Sequence, residues 1–156
     1  MCSIQLRLAC ENETLALAQK LAPWLGAGDV VLLEGPIGAG KSFFARALIL
    51  SLLPEPEDIP SPTFTLVQSY DAGRFDIWHC DLYRLSSSFE AQELGLEDAF
   101  ETALCLIEWP DRLASLTPQN ALTIELQTTD IPDERLIRLS ATDPRWAKIL
   151  ERLDGA

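Results

Sequence analysis

Gly35-Pro36-Ile37-Gly38-Ala39-Gly40-Lys41-Ser42 satisfies G-x-x-x-x-G-K-[ST] at every fixed position and follows directly on an apolar run, Val30-Val31-Leu32-Leu33. It reads as a phosphate-binding loop between a strand and a helix. Glycines let the backbone curl until successive N–H groups point at one anion, and the following helix adds the positive end of its dipole. In such a loop Lys41 reaches the β- and γ-phosphates as a point charge. The Ser42 hydroxyl binds a Mg²⁺ that also touches the phosphates. The alternative is a glycine-rich turn that merely links a strand to a helix.

Working outward, Val30 to Glu34 suits a strand buried on both faces, and Lys41 to Leu53 carries Phe44, Ala45, Leu48, Ile49 and Leu52 as a core-facing helical stripe. Upstream, Leu15, Ala18, Leu21, Ala22 and Leu25 recur at helical spacing, with Asn12 or Thr14 as cap and Pro23 as the point of termination or bending. The proline-dense stretch Pro54 to Pro62 must be a loop. Thr63 to Tyr70 and Phe75 to Leu82, joined by Asp71-Ala72-Gly73, read as an antiparallel hairpin. Ser87 and Glu90 form a capping box for a helix that closes near Gly95, and Leu96 to Phe100 adds a further turn. Ala103 to Ile107 is wholly apolar and ends in Glu108. Strands at Ala121 to Gln127 and Arg135 to Ala141 precede a terminal helix, Pro144 to Leu153, capped by Asp143. The expected fold is α/β: a three-layer sandwich like that of P-loop NTPases, with a mixed, mainly parallel sheet and an antiparallel hairpin, in one domain spanning residues 1 to 156.

A chain of 156 residues that is 47% hydrophobic can close one sizeable core. Met1 to Cys10 mixes polar with apolar residues and does not resemble a signal peptide, and no apolar run is long enough to span a bilayer, so a cytoplasmic setting is expected. Cys2, Cys10, Cys80 and Cys105 show no C-x-x-C spacing, which indicates neither a disulfide framework nor a zinc site. The net charge is −12, and seven acidic residues with no basic one lie between Arg84 and Arg112. Direct nucleic-acid binding is disfavoured, because phosphodiester backbones are held mainly by Lys and Arg. The acidic surface is either simply solvated or a docking face for a basic partner protein.

In open α/β sheets ligands sit beyond the carboxyl ends of the strands, where Glu108 falls. A carboxylate there binds Mg²⁺ directly or through water, or orients an attacking water; a strand-end glutamate facing solvent is the bland alternative. Trp109-Pro110 stiffens the turn that follows. His79-Cys80-Asp81-Leu82-Tyr83-Arg84 gathers a base, a carboxylate, a phenol and a guanidinium in six residues, a density that suggests the edge of a site. His79 is the single histidine, and inside a strand it reads more readily as a hydrogen-bonded structural residue than as a metal ligand. Arg84 either stabilises charge or pairs with an acidic neighbour. Ser61-Pro62-Thr63 follows the phosphate-loop helix, where GTPase-like proteins place a segment that senses the γ-phosphate.

Four motifs in order, Gly38 to Ser42, Ser61-Pro62-Thr63-Phe64-Thr65-Leu66-Val67, His79 to Leu85 and Leu106-Ile107-Glu108-Trp109-Pro110, resemble the TsaE family, also called YjeE, over roughly the first 115 residues. The resemblance implies a small P-loop ATPase using ATP and Mg²⁺ that assists the synthesis of threonylcarbamoyladenosine at position 37 of tRNA. It implies docking on a heterodimer of TsaD and TsaB, which hold the tRNA, with hydrolysis weak until those partners are present. It makes Gly35 to Ser42 the phosphate cradle, Ser42 with Glu108 the magnesium pair, and Asp81 and Thr63 candidates for the hydrolytic or switching step. Glu11 and Thr14 resemble the region near the adenine, and Arg135 resembles a late arginine near the nucleotide. The family usually has Asp-Leu where Pro36-Ile37 stands here, and a second Thr where Phe43 stands. Pro36 removes one loop donor, and Phe43 removes a hydroxyl that in P-loop proteins often bonds the α-phosphate, worth about 0.5–1.5 kcal/mol.

Two other functions are compatible with such a loop. A small-molecule kinase needs an acceptor pocket and a lid with several arginines, whereas only Arg74, Arg84 and Arg112 lie between Arg46 and Arg135. A scaffold that binds nucleotide only to stabilise its fold needs no turnover at all.

Overall fold

A computed structural model describes residues 1–62 and 66–154. Thr63, Phe64 and Thr65, and with them the first part of the expected strand from Thr63, lie outside the described residues. Among the described residues seven strands form one sheet: β1 (Cys2–Leu8), β2 (Val30–Glu34), β3 (Val67–Asp71), β4 (Asp76–Asp81), β5 (Leu104–Glu108), β6 (Leu122–Thr128) and β7 (Arg135–Ala141). Their spatial order is β1-β7-β6-β2-β5-β4-β3. The four central strands β6, β2, β5 and β4 are parallel. The β3–β4 hairpin and the β1–β7 and β6–β7 pairs are antiparallel. The sheet is therefore mixed, with its parallel character confined to the centre rather than prevailing throughout.

Alternation along the central strands explains the layers. In β2, Val31 and Leu33 face one core with Leu104 and Leu106 of β5, while Val30 and Leu32 face the other with Cys105 and Ile107. The first core is covered by α1 (Glu11–Leu21), α2 (Lys41–Leu52) and α5 (Arg145–Asp154), through Leu17, Leu21, Phe44, Leu48 and Trp146. The second is covered by α3 (Ser88–Glu93) and α4 (Leu96–Thr102), through Ala91, Leu96 and Ala99. Strands buried on both sides need continuous apolar runs, which is why β2 and β5 stand out in the sequence.

Three local expectations differ from what forms. β1 was not expected. Cys2, Ile4 and Leu6 are half-buried and alternate with exposed Ser3, Gln5 and Arg7, and the strand pairs with β7 from the far end of the chain. Helix α1 starts at Glu11 with Cys10 at its cap, not Asn12 or Thr14; the Glu13 carboxylate reaches back to the Ala9 N–H at 3.1 Å and fixes the earlier start. At α3, Ser87 takes the cap position without a side-chain bond, because Glu90 accepts from Ser86 Oγ at 2.5 Å instead. Pro23 lies in a 3₁₀ turn, Ala22–Trp24, that ends α1.

The loop from Gly35 to Gly40 is shaped by sterics at its first residue. Gly35 has φ 143°, and a Cβ there would lie 2.4 Å from the Leu126 carbonyl oxygen of neighbouring β6. Gly35→Ala is expected to lower stability by about 1–3 kcal/mol, the cost of an unfavourable dihedral plus a backbone displacement. Urea unfolding checks this, and an unchanged midpoint would show that the loop does not depend on that close approach.

Candidate functional site

Three parallel strand ends build the site. Leu33 of β2 lies opposite Glu108 of β5, and Glu108 lies opposite Asp81 of β4, so the loop leaving β2 and the two carboxylates meet along one edge. Gly38 (φ 84°) and Gly40 (φ 102°) take left-handed conformations that turn the loop into α2, with Gly40 as the helix cap. The cleft above holds about 450 Å³ and is lined by the loop, Lys41, Ser42, Phe43, Asp81 and Glu108, with Tyr83 and Trp109 on its rim.

Ser42 and Glu108, expected as a pair, are in direct contact: Ser42 Oγ donates to Glu108 Oε1 and Oε2 at 3.0 and 3.1 Å. Glu108 is only 3% exposed, which excludes the solvent-facing alternative. A hydroxyl has one proton and two lone pairs, and its proton here is committed to the carboxylate, so the lone pairs remain for a cation. Hydroxyl and carboxylate oxygens are hard donors of the kind Mg²⁺ prefers, and a Mg²⁺ bound beside phosphates needs only one or two protein ligands. Among the described residues no cluster of three His, Cys, Asp or Glu is placed to hold a metal alone. The donor set therefore fits an ion shared with a ligand.

Lys41 Nζ donates to the Gly35 carbonyl and, at 3.1 Å, to the Pro36 carbonyl. Its ammonium also lies 4.1 Å from the centroid of the Trp109 ring. Burial lowers its pKa, opposed by the nearby charges of Glu108 and Asp81. Trp109 has φ 59° and packs against Tyr83 with ring centroids 4.9 Å apart, so the strained turn after β5 delivers an aromatic face to the lysine. Asp81 is buried, lines the same cleft and accepts from the Tyr83 N–H at 3.1 Å. His79 is fully buried and its Nε2 lies 2.6 Å from Glu108 Oε2, a hydrogen-bonded residue as expected. Arg84 is exposed and does not line the cleft.

The remaining expected residues converge on a second, smaller cavity of about 70 Å³ beside the loop, where Glu11 and Thr14 of α1 meet Ala39, Gly40 and Phe43. Arg135, at the start of β7, completes it and donates from Nε to the Ala39 carbonyl at 2.9 Å. Phe43 lines both cavities, so the position that lacks a hydroxyl supplies an aromatic wall. Two lining residues escaped the sequence reading. Arg46 stands one turn after Ser42 on α2, a spacing that was legible. Asp133 lies in a turn with φ 66° and carries no local signal. A larger cleft of about 780 Å³, lined by Glu97, Glu101 and Asp143, opens at the opposite end of the sheet, away from the glycine loop. Thr63 lies outside the described residues.

Loop and fold together define the class: an α/β protein with a G-x-x-x-x-G-K-S loop joining a central parallel strand to its helix. The sequence model described as "Threonylcarbamoyl adenosine biosynthesis protein TsaE" matches residues 8–137. The chain is 41% identical over 140 residues to the tRNA threonylcarbamoyladenosine biosynthesis protein TsaE of Rickettsia bellii, covering 90% of this chain and 96% of that one. It is 33% identical over 154 residues to the protein of the same name from Bacillus subtilis, covering 98% and 95%. The crystal structure of Bacillus subtilis YdiB superposes with a TM-score of 0.81 at 30% identity, over 99% of this chain and 95% of that one. This chain belongs to the TsaE family and thus to tRNA threonylcarbamoyladenosine biosynthesis.

The lowered Lys41 pKa carries a sign that can be tested. Between the lowered folded value and the ordinary lysine value the unfolded chain binds more protons, so this group's contribution to stability rises with pH through that window. Below it, the charged side chain opposes folding. Lys41→Met is expected to unfold at an equal or higher urea concentration at neutral pH; a loss above about 1 kcal/mol would make the ammonium a structural fastener instead.

Proposed function

We propose that this chain is a magnesium-dependent ATPase, a single P-loop domain that binds ATP between the glycine loop and the Glu11–Arg135 cavity and hydrolyses it as an accessory to threonylcarbamoyladenosine synthesis. The observation that carries the reading is the Ser42–Glu108 contact at the foot of the loop, because it pairs a hydroxyl with a buried carboxylate where a phosphate-bound ion needs both. Gly35, Ile37, Gly38, Ala39 and Gly40 supply backbone around the phosphates. Lys41 exchanges a loop carbonyl for a phosphate oxygen, which offsets the cost of its burial. Magnesium supplies charge neutralisation on the phosphates when bound.

Asp81 faces the cleft from the neighbouring strand end and takes the proton of the attacking water, while Glu108 orients Ser42. Thr63 is assigned the switching step on family resemblance alone. Glu11, Thr14 and Arg135 surround the base side, with Phe43 offering an apolar face to it. Hydrolysis is weak in the free chain and rises when it docks on the TsaD–TsaB heterodimer in the cytoplasm. Those partners hold the tRNA, a division of labour supported by a net charge of −12 that ill suits direct contact with phosphodiesters.

Phosphate release by the purified chain, with and without TsaD and TsaB, tests this directly. Glu108→Gln is expected to keep ATP binding in EDTA within a few-fold while turnover in magnesium falls by about 10²-fold or more. Normal turnover in that variant would remove Glu108 from the reaction.

A further inference from the structure

We infer that His79 is a positioning residue that sets the Glu108 carboxylate against Ser42 and keeps it off Lys41. The inference rests on the reading of Ser42 and Glu108 as the pair that holds the magnesium ion. His79 is completely buried in β4, and its Nε2 lies 2.6 Å from Glu108 Oε2, across the β4–β5 pairing. Its other ring nitrogen, Nδ1, is buried with no hydrogen-bond partner among the described residues.

These two facts define the ring. A carboxylate oxygen only accepts, so the short contact requires a proton on Nε2. The opposite tautomer buries an unsatisfied N–H and sets two lone pairs against each other, both costly in a dry site. His79 thus acts as a donor towards Glu108, and it pins Oε2 from the adjacent strand.

Glu108 needs pinning because a stronger partner is close. The Lys41 ammonium is near enough to feel the charges of Glu108 and Asp81, yet it is held by the Gly35 and Pro36 carbonyls and lies over Trp109. A freely rotating Glu108 would be drawn towards that ammonium and fill the place of the phosphate. With Oε2 tied to His79, the carboxylate faces Ser42 instead, and the hydroxyl is oriented with its lone pairs outward. Groups behind a metal ligand commonly govern metal affinity in this manner.

The test compares wild type, His79→Leu and His79→Gln by calorimetric titration with ADP, once in Mg²⁺ and once in EDTA, alongside thermal melting. His79→Leu is expected to shrink the enhancement of ADP affinity by Mg²⁺ by about tenfold and to leave the affinity in EDTA unchanged. His79→Gln, which keeps an amide donor at similar reach, is expected to recover most of the enhancement. A folded His79→Leu with full enhancement, or one weakened equally in both buffers, overturns the proposal, since a purely structural role would not separate the two conditions. The ring ¹⁵N shifts of the wild-type protein decide the matter even if the leucine variant fails to fold: a proton on Nε2 supports the proposal and an Nε2 without one overturns it. Absence of any ADP binding in the wild type would instead remove the proposed function, and the ring tautomer would still report whether His79 holds Glu108.

Discussion

A buried glutamate held from two sides is the contact on which the site depends. Glu108 accepts from Ser42 at the start of α2 and from His79 in the adjacent strand, so one carboxylate ties the glycine loop's helix to two strands of the parallel centre. Burying a carboxylate is costly unless its oxygens are satisfied by donors. Here both donors come from positions far apart in sequence: the register of β4 on β5 sets His79 diagonal to Glu108, and the loop leaving β2 beside Glu108 brings Ser42 at the start of α2. A slip of β5 by one residue would turn the carboxylate to the opposite face of the sheet.

The loop's own conformation is consistent with a site whose charges await a ligand. Lys41 is buried at a cost visible in its lowered pKa, and it occupies itself with its own loop's carbonyls and an aromatic face. Glu34, at the end of β2, shows the opposite strain: burial raises its pKa, and Glu125 and Asp111 add to the rise. Glu34, Glu125 and Asp111 thus form a cluster of negative charge beside the loop, separate from Lys41 with Asp81 and Glu108 in the cleft. Buried charges of this kind are common where a fold gives up stability for binding.

The centre of this fold was legible because burial on both faces leaves continuous apolar runs. β2, the loop and α2 fall within a residue of expectation, and β5 ends at Glu108 as read. β1 was not legible as a strand: half-exposed, it alternates apolar and polar residues, and its partner β7 lies more than a hundred residues away. The start of α1 was misjudged because the deciding bond runs from a backbone N–H to Glu13 rather than from a capping side chain. Within the site, Ser42 and Glu108 could be paired from motif and strand position. The partner of His79 could not, since a contact between neighbouring strands has no signature in local spacing. Asp133 was invisible for a similar reason: a turn between β6 and β7 brings it to the loop, and nothing in its own neighbourhood marks it.

The central claim is that a loop of main-chain amides, Lys41 and the Ser42–Glu108 pair grip a nucleotide polyphosphate together with a divalent ion. The most direct measurement is calorimetric titration of the folded wild-type chain with ADP in magnesium and again after chelation. The account predicts one saturable site per chain whose affinity falls by about tenfold or more when magnesium is removed. No saturable heat, or the same affinity in both conditions, would contradict it.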